Sequence, residues 1–412
     1  MRGCLLLLFC REGRNKALKL LVVCQYYYPE PFRIHDICET LVKKGHEVTV
    51  LTGVPNYPEG VVPVEYRHGK KRDEVINGVR VIRNKQIARG SGAVRRFLNY
   101  FSFAKLAKST AKKLGGDFDA VFVNQLSPVM MAEPACAWAK KYKKPMLLYC
   151  LDLWPASLAA GGIGESSPIH KVFRGISRKL YSKADRVLVT SAMFGDYFKN
   201  YLGLDIEVGY MPQYAEGLFE TKAEPLSSEY KHNLVFAGNV GEMQSVDTIV
   251  KAASMLCDMP DIGFHIVGDG SALASLRQLH EKIGGNVVFH GRKPVEDMPS
   301  YYAMADAMLV TMKSDPVINL TLPGKVQSYM AAGKPIIGAV AGESALVIER
   351  SGCGMCCPPD DAQRLAQTIR SFFSAADHTE MASRSKEYYD LHFSKERFFE
   401  TLENELSALV DK

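Results

Sequence analysis

Short apolar runs alternate with amphipathic stretches along almost the whole chain. Residues 18–24, 47–52, 79–83, 120–123, 146–151 and 186–190 read as strands, with helical periodicity over 32–44 and 128–141 between them. Strand-length apolar runs separated by helices predict βαβ units, because parallel neighbours need a crossover and a sheet covered on both faces has no polar side. The periodicity breaks around residues 203–225, where Gly, Pro, Glu and aromatic residues replace it. It resumes with strands predicted at 233–237, 263–267, 286–290, 307–311, 335–340 and 352–356, each followed by a helical stretch. From Arg370 through Phe393 to Leu409 the helical period continues without another strand.

The pattern predicts an α/β fold of two Rossmann-like, doubly wound domains. The expected organisation is an N-terminal extension over 1–17, a first domain over 18–206, a linker over 207–230 and a second domain over 231–375. C-terminal helices over 376–412 are expected to return toward the first domain. A length of 412 residues, more than one typical core, agrees with two domains.

Composition narrows the class. Hydrophobic residues make up 47% and charged residues 23%, and no segment reaches the roughly 18 consecutive apolar residues of a membrane helix. The apolar run at residues 2–10 is followed by basic residues and no small-residue cleavage site, so it reads as an extension ahead of a start near Lys16 rather than a secretory signal. Ten cysteines are scattered, and the one close group, Cys353, Cys356 and Cys357, has no second pair at zinc-ligand spacing. Reduced thiols in a cytosol are expected, with no metal site. The net charge of +6 is too small to point to nucleic acid, and no nucleic-acid module accompanies it.

In open α/β sheets ligands bind beyond the carboxyl ends of the strands, so the residues just after each strand carry the chemistry. After the first strand, residues 25–36 open a helix whose N-terminus favours an anion, with Arg33 as its contact and His35 and Asp36 beside it. Arg33 also reads as a solvated first-turn residue, and His35 as packing. After the fifth strand, Asp152 stands beside Trp154, one of two tryptophans. A carboxylate there can take a proton from an incoming hydroxyl or bind a sugar hydroxyl, and it can equally cap a helix ahead of Pro155. In the second half, Gly238, Asn239, Gly241 and Gln244 follow one strand and Gly268 the next, where glycine lets backbone N–H groups approach a phosphate. Glycine at such turns is also common for backbone reasons alone. Residues 315–335 place a loop, a helix of about three turns from near Pro323, and a strand in succession. Thr321 and Lys325 at that helix N-terminus suit a diphosphate, Lys325 adding full charge to the dipole.

Residues 25–36, the run Lys44-Gly45-His46-Glu47-Val48-Thr49-Val50-Leu51-Thr52-Gly53-Val54-Pro55-Asn56-Tyr57-Pro58, the run Asp152-Leu153-Trp154-Pro155 and the run Met330-Ala331-Ala332-Gly333-Lys334-Pro335 resemble the retaining family 4 glycosyltransferases. Within that family they are similar to the branch that makes bacterial O-antigens, capsules and colanic-acid-type exopolysaccharides, including N-acetyl-fucosamine transferases. The resemblance covers nearly the whole chain after about Leu18. It implies the GT-B fold, two domains facing across a cleft, with a UDP-sugar donor held by the second and an acceptor by the first. It also implies transfer with retention, without cofactor or essential metal. Gly241 and Lys325 would sit at the diphosphate, Arg292 at the uracil, and Asn319, Leu320, Thr321 and Leu322 beside the donor sugar.

Two departures stand out. The family's two glutamates, eight apart, fall here on Leu320 and Ser328, and Ser328 keeps only a hydroxyl for the ribose. The basic pair after the first glycine of the second domain is replaced, with Asn239 and Gln244 nearest to it.

The resemblance also implies a lipid-linked saccharide acceptor, an undecaprenyl diphosphate, at the inner face of the cell membrane. Arg95, Arg96, Lys105, Lys108, Lys112 and Lys113, interleaved with aromatic and aliphatic residues, form a basic amphipathic stretch suited to anionic lipid. Residues 171–183 form a second. Both also read as ordinary helices with core and solvent faces. The expected activity is hexosyl transfer from a UDP-sugar, by a cytoplasmic enzyme peripheral to the membrane. Two other readings are a catalytically silent homologue that binds a partner in a glycan-assembly complex, and a nucleotide-sugar epimerase.

Overall fold

The computed structural model describes residues 16–90, 92–161, 163–375 and 377–412. The apolar run at 2–10, and with it nearly all of the expected extension, lies outside the described residues.

Apolar runs in the first half form β1 (Lys19–Val23), β2 (Glu47–Gly53), β4 (Val79–Asn84), β5 (Ala120–Gln125), β6 (Met146–Cys150) and β7 (Arg186–Val189). Two further strands, β3 (Asp73–Ile76) and β8 (Val208–Tyr210), escape the sequence reading. Among the described residues the sheet order is β3-β4-β2-β1-β5-β6-β7-β8, parallel from β4 to β6 with β3 antiparallel at the edge. Helices α1 (Ile34–Lys43), α2 (Ala93–Ala111), α3 (Glu133–Tyr142) and α4 (Pro168–Tyr181) make the crossovers. The strands β1 and β5 bury nearly every side chain, as a sheet covered on both faces demands.

The second half contributes β9 (His232–Ala237), β10 (Ile262–Val267), β11 (Val287–Gly291), β12 (Ala307–Thr311), β13 (Ile336–Ala339) and β14 (Gly354–Cys357), all parallel in the order β11-β10-β9-β12-β13-β14. Its helices include α5 (Asp247–Ser254), α6 (Leu273–Ile283), α7 (Met298–Met304), α8 (Gly324–Ala331), α9 (Glu343–Ser351) and α10 (Ala362–Ala375). The period of two along β9 shows the double winding directly. Leu234 and Phe236 join one core with Ile249, Leu276 and Ile369, while Val235 and Ala237 join another with Tyr302, Tyr329 and Ile348. With the edge strands β3 and β8 set aside, both sheets share the strand order 3-2-1-4-5-6, so each has a point where the connections part in opposite directions.

The chain divides into two compact units, one running to Val187 and taking back Leu402–Lys412, the other Leu188–Thr401. The division falls earlier than the expected linker at 207–230, yet β8 still belongs to the first sheet by order. Hydrogen bonding decides sheet membership, and packing decides the unit. The return of the C-terminal helices is also narrower than expected. Helix α11 (His378–His392) stays with the second unit, burying Tyr389 and donating from Ser385 Oγ to the Lys334 carbonyl at 2.8 Å. Only the end of α12 (Lys395–Val410) packs with the first unit, where buried Glu403 accepts from Lys44 at 2.7 Å and from His46 at 3.1 Å.

Candidate active site

In the second unit the connections part between β9 and β12, and the residues beyond those two strands are the ones that sequence selects. The turns after β9 and β10 are pressed together. A β-carbon at Gly268, whose φ is +145°, would lie 1.8 Å from the Gly238 carbonyl oxygen, so only glycine fits there. Gly238, Asn239, Gly268 and Arg292 line one cavity of 260 Å³, with the Arg292 side chain exposed at its rim. Gln244 does not reach outward. Its Oε1 accepts from Asn239 Nδ2 at 3.0 Å and from the Gly241 N–H at 3.2 Å, fixing the turn. The stretch after Gly241 is a short 3₁₀ turn (Glu242–Gln244) rather than the start of a long helix, and α5 begins only at Asp247.

Lys325 stands beside Gly238: a β-carbon there would be 3.3 Å from its Nζ. That nitrogen is buried, has no hydrogen-bond partner among the described residues, and lies 3.8 Å over the ring of Phe236. Burial pushes its pKa down to about 7, with no carboxylate to oppose the shift. Its helix α8 is shorter than the three turns expected, because Gly333, at φ +63°, ends it soon after Ala331.

The preceding loop is built around Asp315, whose Oδ1 accepts from the N–H groups of Val317 at 2.8 Å and Ile318 at 3.0 Å. Asn319 and Leu320 close a 3₁₀ turn. The Leu320 carbonyl accepts from Ser191 Oγ and the Thr321 carbonyl from Ser344 Oγ. Leu322 is buried in the core. Ser328, expected at the ribose, is buried and donates to the Gly324 carbonyl at 3.2 Å, a bond within its own helix.

In the first unit Asp152 lies beyond β6, next to the parting point between β1 and β5. Its carboxylate accepts from Ser127 Oγ, and Ser127 in turn meets Ser157 Oγ at 2.9 Å. Burial raises the Asp152 pKa, opposed by the Ser127 hydroxyl and the Leu153 N–H. Trp154 is buried edge-on to Phe173 at 5.6 Å, and its Nε1 has no partner among the described residues. Arg33 immediately precedes α1, with Asp36 in its first turn. His35 is packed against the rings of Tyr27 and Tyr28, and burial lowers its pKa.

Sequence reasoning passed over the most elaborate feature of this edge. Glu30 is buried, and its carboxylate accepts from the backbone N–H groups of Asn56 and Tyr57 at 2.8 Å each and of Tyr27 at 3.2 Å. Burial pushes its pKa up to about 7 against those three donors. Asn99 joins Gln25 at 2.8 Å and Asn56 at 3.4 Å from beneath. Both Glu30 and Asn56 stand in the segments that carry the family resemblance, and that was the available signal.

Residues 32–208 match the domain family described as Glycosyl transferase 4-like domain, and residues 231–375 match Glycosyl transferases group 1. A probable glycosyltransferase of Pseudomonas aeruginosa, WbjE, is 25% identical over 301 residues, covering 70% of this chain and 72% of its own. A putative colanic acid biosynthesis glycosyl transferase of Escherichia coli, WcaI, is 23% identical over 414 residues, covering 94% of this chain and all of its own (100%). The fold is shared with sucrose-phosphate synthase of Thermosynechococcus elongatus (TM-score 0.72, 16% identity, 95% of this chain and 100% of that one). It is shared also with HepE of Anabaena in complex with UDP (TM-score 0.68, 15% identity, 96% and 100%). With two successive glycosyltransferase domains carried on two doubly wound sheets, the chain belongs to the family 4 glycosyltransferases of the GT-B fold.

Proposed function

We propose that this chain transfers a hexose or N-acetylhexosamine, of the N-acetyl-fucosamine kind, from a UDP-sugar to a lipid-linked saccharide, with retention and without a metal, in the assembly of a bacterial surface polysaccharide. The observation that carries the reading is Lys325. A buried amine with no hydrogen-bond partner among the described residues, beside a glycine turn and at the start of a helix, is a site awaiting an anion. The diphosphate of a nucleotide sugar supplies one. As the bond to the sugar breaks, negative charge grows on the leaving phosphate, and Lys325 at the start of α8 offsets it. Arg292 is assigned to the uracil and residues 319–321 to the donor sugar, Leu322 being buried in the core. Asp152, on the acceptor side, accepts or orients the incoming hydroxyl. HepE, solved with UDP and with UDP-glucose, supports the donor class, and the colanic and teichuronic acid relatives support the product class.

The membrane side of the reading rests on α2 and α4. Val94, Leu98 and Phe101 form one exposed stripe of α2, and the same stripe continues as Lys105, Lys108 and Lys112. On α4, exposed Ile169 and Val172 are followed by Lys179 and Lys183. Lys108, Lys112, Lys179 and Lys183 all line an open groove of 1090 Å³. An apolar stripe joined to a cationic groove suits the cytoplasmic face of an anionic bilayer. No helix among the described residues is long and apolar enough to cross a membrane.

Calorimetric titration of UDP and a panel of UDP-sugars, with Lys325→Ala as control, tests the donor assignment. Binding that the variant loses supports it, and an absence of binding by any uridine nucleotide refutes it. A second reading, binding without catalysis, draws on Leu320 and Ser328 standing where the family carries glutamates. UDP binding with no transfer to any lipid-linked acceptor would favour that reading.

A further inference from the structure

Three aromatic rings meet where the loops after β1 and β2 come together. Tyr26 stacks on Phe32 at 5.1 Å and 16°, Phe32 meets Tyr57 at 5.2 Å, and Tyr26 meets Tyr57 at 5.8 Å. Tyr26 is buried, whereas Phe32 and Tyr57 keep part of their surface in solvent. The guanidinium of Arg89 lies 5.3 Å from the Tyr57 ring centroid, and the Arg89 N–H donates to Asn56 Oδ1 at 2.9 Å.

Beneath the rings lies an unusual concentration of buried polar groups. Gln25, Glu30, Asn56 and Asn99 are each at most 2% exposed. Burying four such groups, one of them a carboxyl, costs free energy that apolar packing would not. What they do is hold backbone: Glu30 fastens the amides of Asn56 and Tyr57 to the first loop, and Asn99 ties Gln25 to Asn56. Two surface loops are thereby fixed so that Phe32 and Tyr57 keep one mutual geometry. Rigid support of this kind is what a recognition surface needs and what a loop with no ligand does not.

We propose that Phe32 and Tyr57 form a stacking subsite for a sugar ring of the acceptor, an assignment that rests on the reading of this chain as a transferase with a saccharide acceptor. A pyranose presents an apolar C–H face and a rim of hydroxyl groups. An aromatic pair with the Arg89 guanidinium over one face of Tyr57 offers ring surface and hydrogen-bond donors together. A lipid tail fits less well, because the exposed aliphatic stripes lie instead on α2 and α4.

Saturation-transfer NMR on the full chain tests it, using methyl glycosides of glucose, galactose, N-acetylglucosamine and fucose, with octyl glucoside as a separate arm. Saturation is expected on the C–H protons of one pyranose face, with binding about tenfold weaker in Phe32→Leu and in Tyr57→Leu. Both substitutions keep apolar bulk, and unchanged thermal unfolding would confirm that they fold. UDP affinity, measured in parallel, should be the same in wild type and variants. The subsite is overturned if no glycoside is saturated, if the leucine variants bind as wild type does, or if only the octyl chain of the detergent is contacted. Loss of UDP binding in the wild type would count against the donor reading and leave the glycoside result standing by itself.

Discussion

Lys325 and Phe236 form a buried cation–ring pair, the amine 3.8 Å from the ring centroid and without a hydrogen bond to any described residue. The contrast with Lys334 is instructive. Burial also lowers the Lys334 pKa, but its Nζ donates to the carbonyls of Ala303 at 3.0 Å and Ala305 at 2.9 Å, at the end of α7. Lys334 closes a helix, whereas Lys325 closes nothing among the described residues. The ring face recovers only part of the lost hydration of an ammonium.

Replacing Lys325 by Met should therefore separate stability from function. The folded pKa of about 7 lies below the ordinary 10.5, so between those values the unfolded chain holds more protons than the native one. Wild-type stability accordingly rises with pH through that window. Lys325→Met should remove the rise, stabilise the protein at pH 7 by about 1 kcal/mol, and abolish UDP binding. Thermal unfolding at several pH values, beside calorimetry, reads both. A destabilised variant would show that the amine is structural.

Gly268→Ala should damage the same site from the backbone. Its β-carbon would have to share space with the Gly238 carbonyl, at a φ that side chains rarely adopt. A loss of about 3 kcal/mol in urea unfolding is expected, together with loss of UDP binding. Near-wild-type stability would mean that the two turns move apart easily and that their close contact is not required.

Glu30 gives a pH dependence of opposite sign. Its folded pKa of about 7 lies above the ordinary 4.5, so the native state holds the proton more tightly and stability falls as pH rises between those values. Glu30→Gln keeps an oxygen for the Asn56 and Tyr57 amides and carries no charge. Relative to wild type, it should gain stability between pH 5 and pH 8, seen as a narrowing or reversal of the difference in Tm. A difference that moves the other way would show that the three N–H donors outweigh desolvation.

The parallel strands were legible because strands buried on both faces are continuous apolar runs, and the two series of them delimit two sheets. The edge strands were not. In β3, Asp73 and Glu74 make half the strand acidic, and β8 is only three residues long. The glycine turns and Lys325 were legible from their place after strands and before a helix. Their geometry was not, since nothing in the sequence distinguishes a solvated lysine from one buried against Phe236. The same blindness hid Glu30, whose residue type is usually found in water, and the bond from the Ser328 hydroxyl back to its own helix.

Asp152 remains the sharpest test of the acceptor side. Its carboxyl is buried, which raises its pKa, while the Ser127 hydroxyl and the Leu153 N–H favour the anion. If the ionised form accepts or orients the acceptor hydroxyl, turnover should climb as Asp152 loses its proton, with the acid limb shifted upward from that of an ordinary aspartate. Asp152→Asn retains an oxygen for Ser127 and should fold normally while turnover falls about 100-fold. Ser127→Ala removes a donor to the anion, so the acid limb should move to higher pH with the maximal rate largely kept. That shift is the decisive readout, because a carboxyl with a purely structural role gives a limb indifferent to Ser127. An unmoved limb, or an asparagine variant as fast as wild type, would transfer the role to another residue of the first unit.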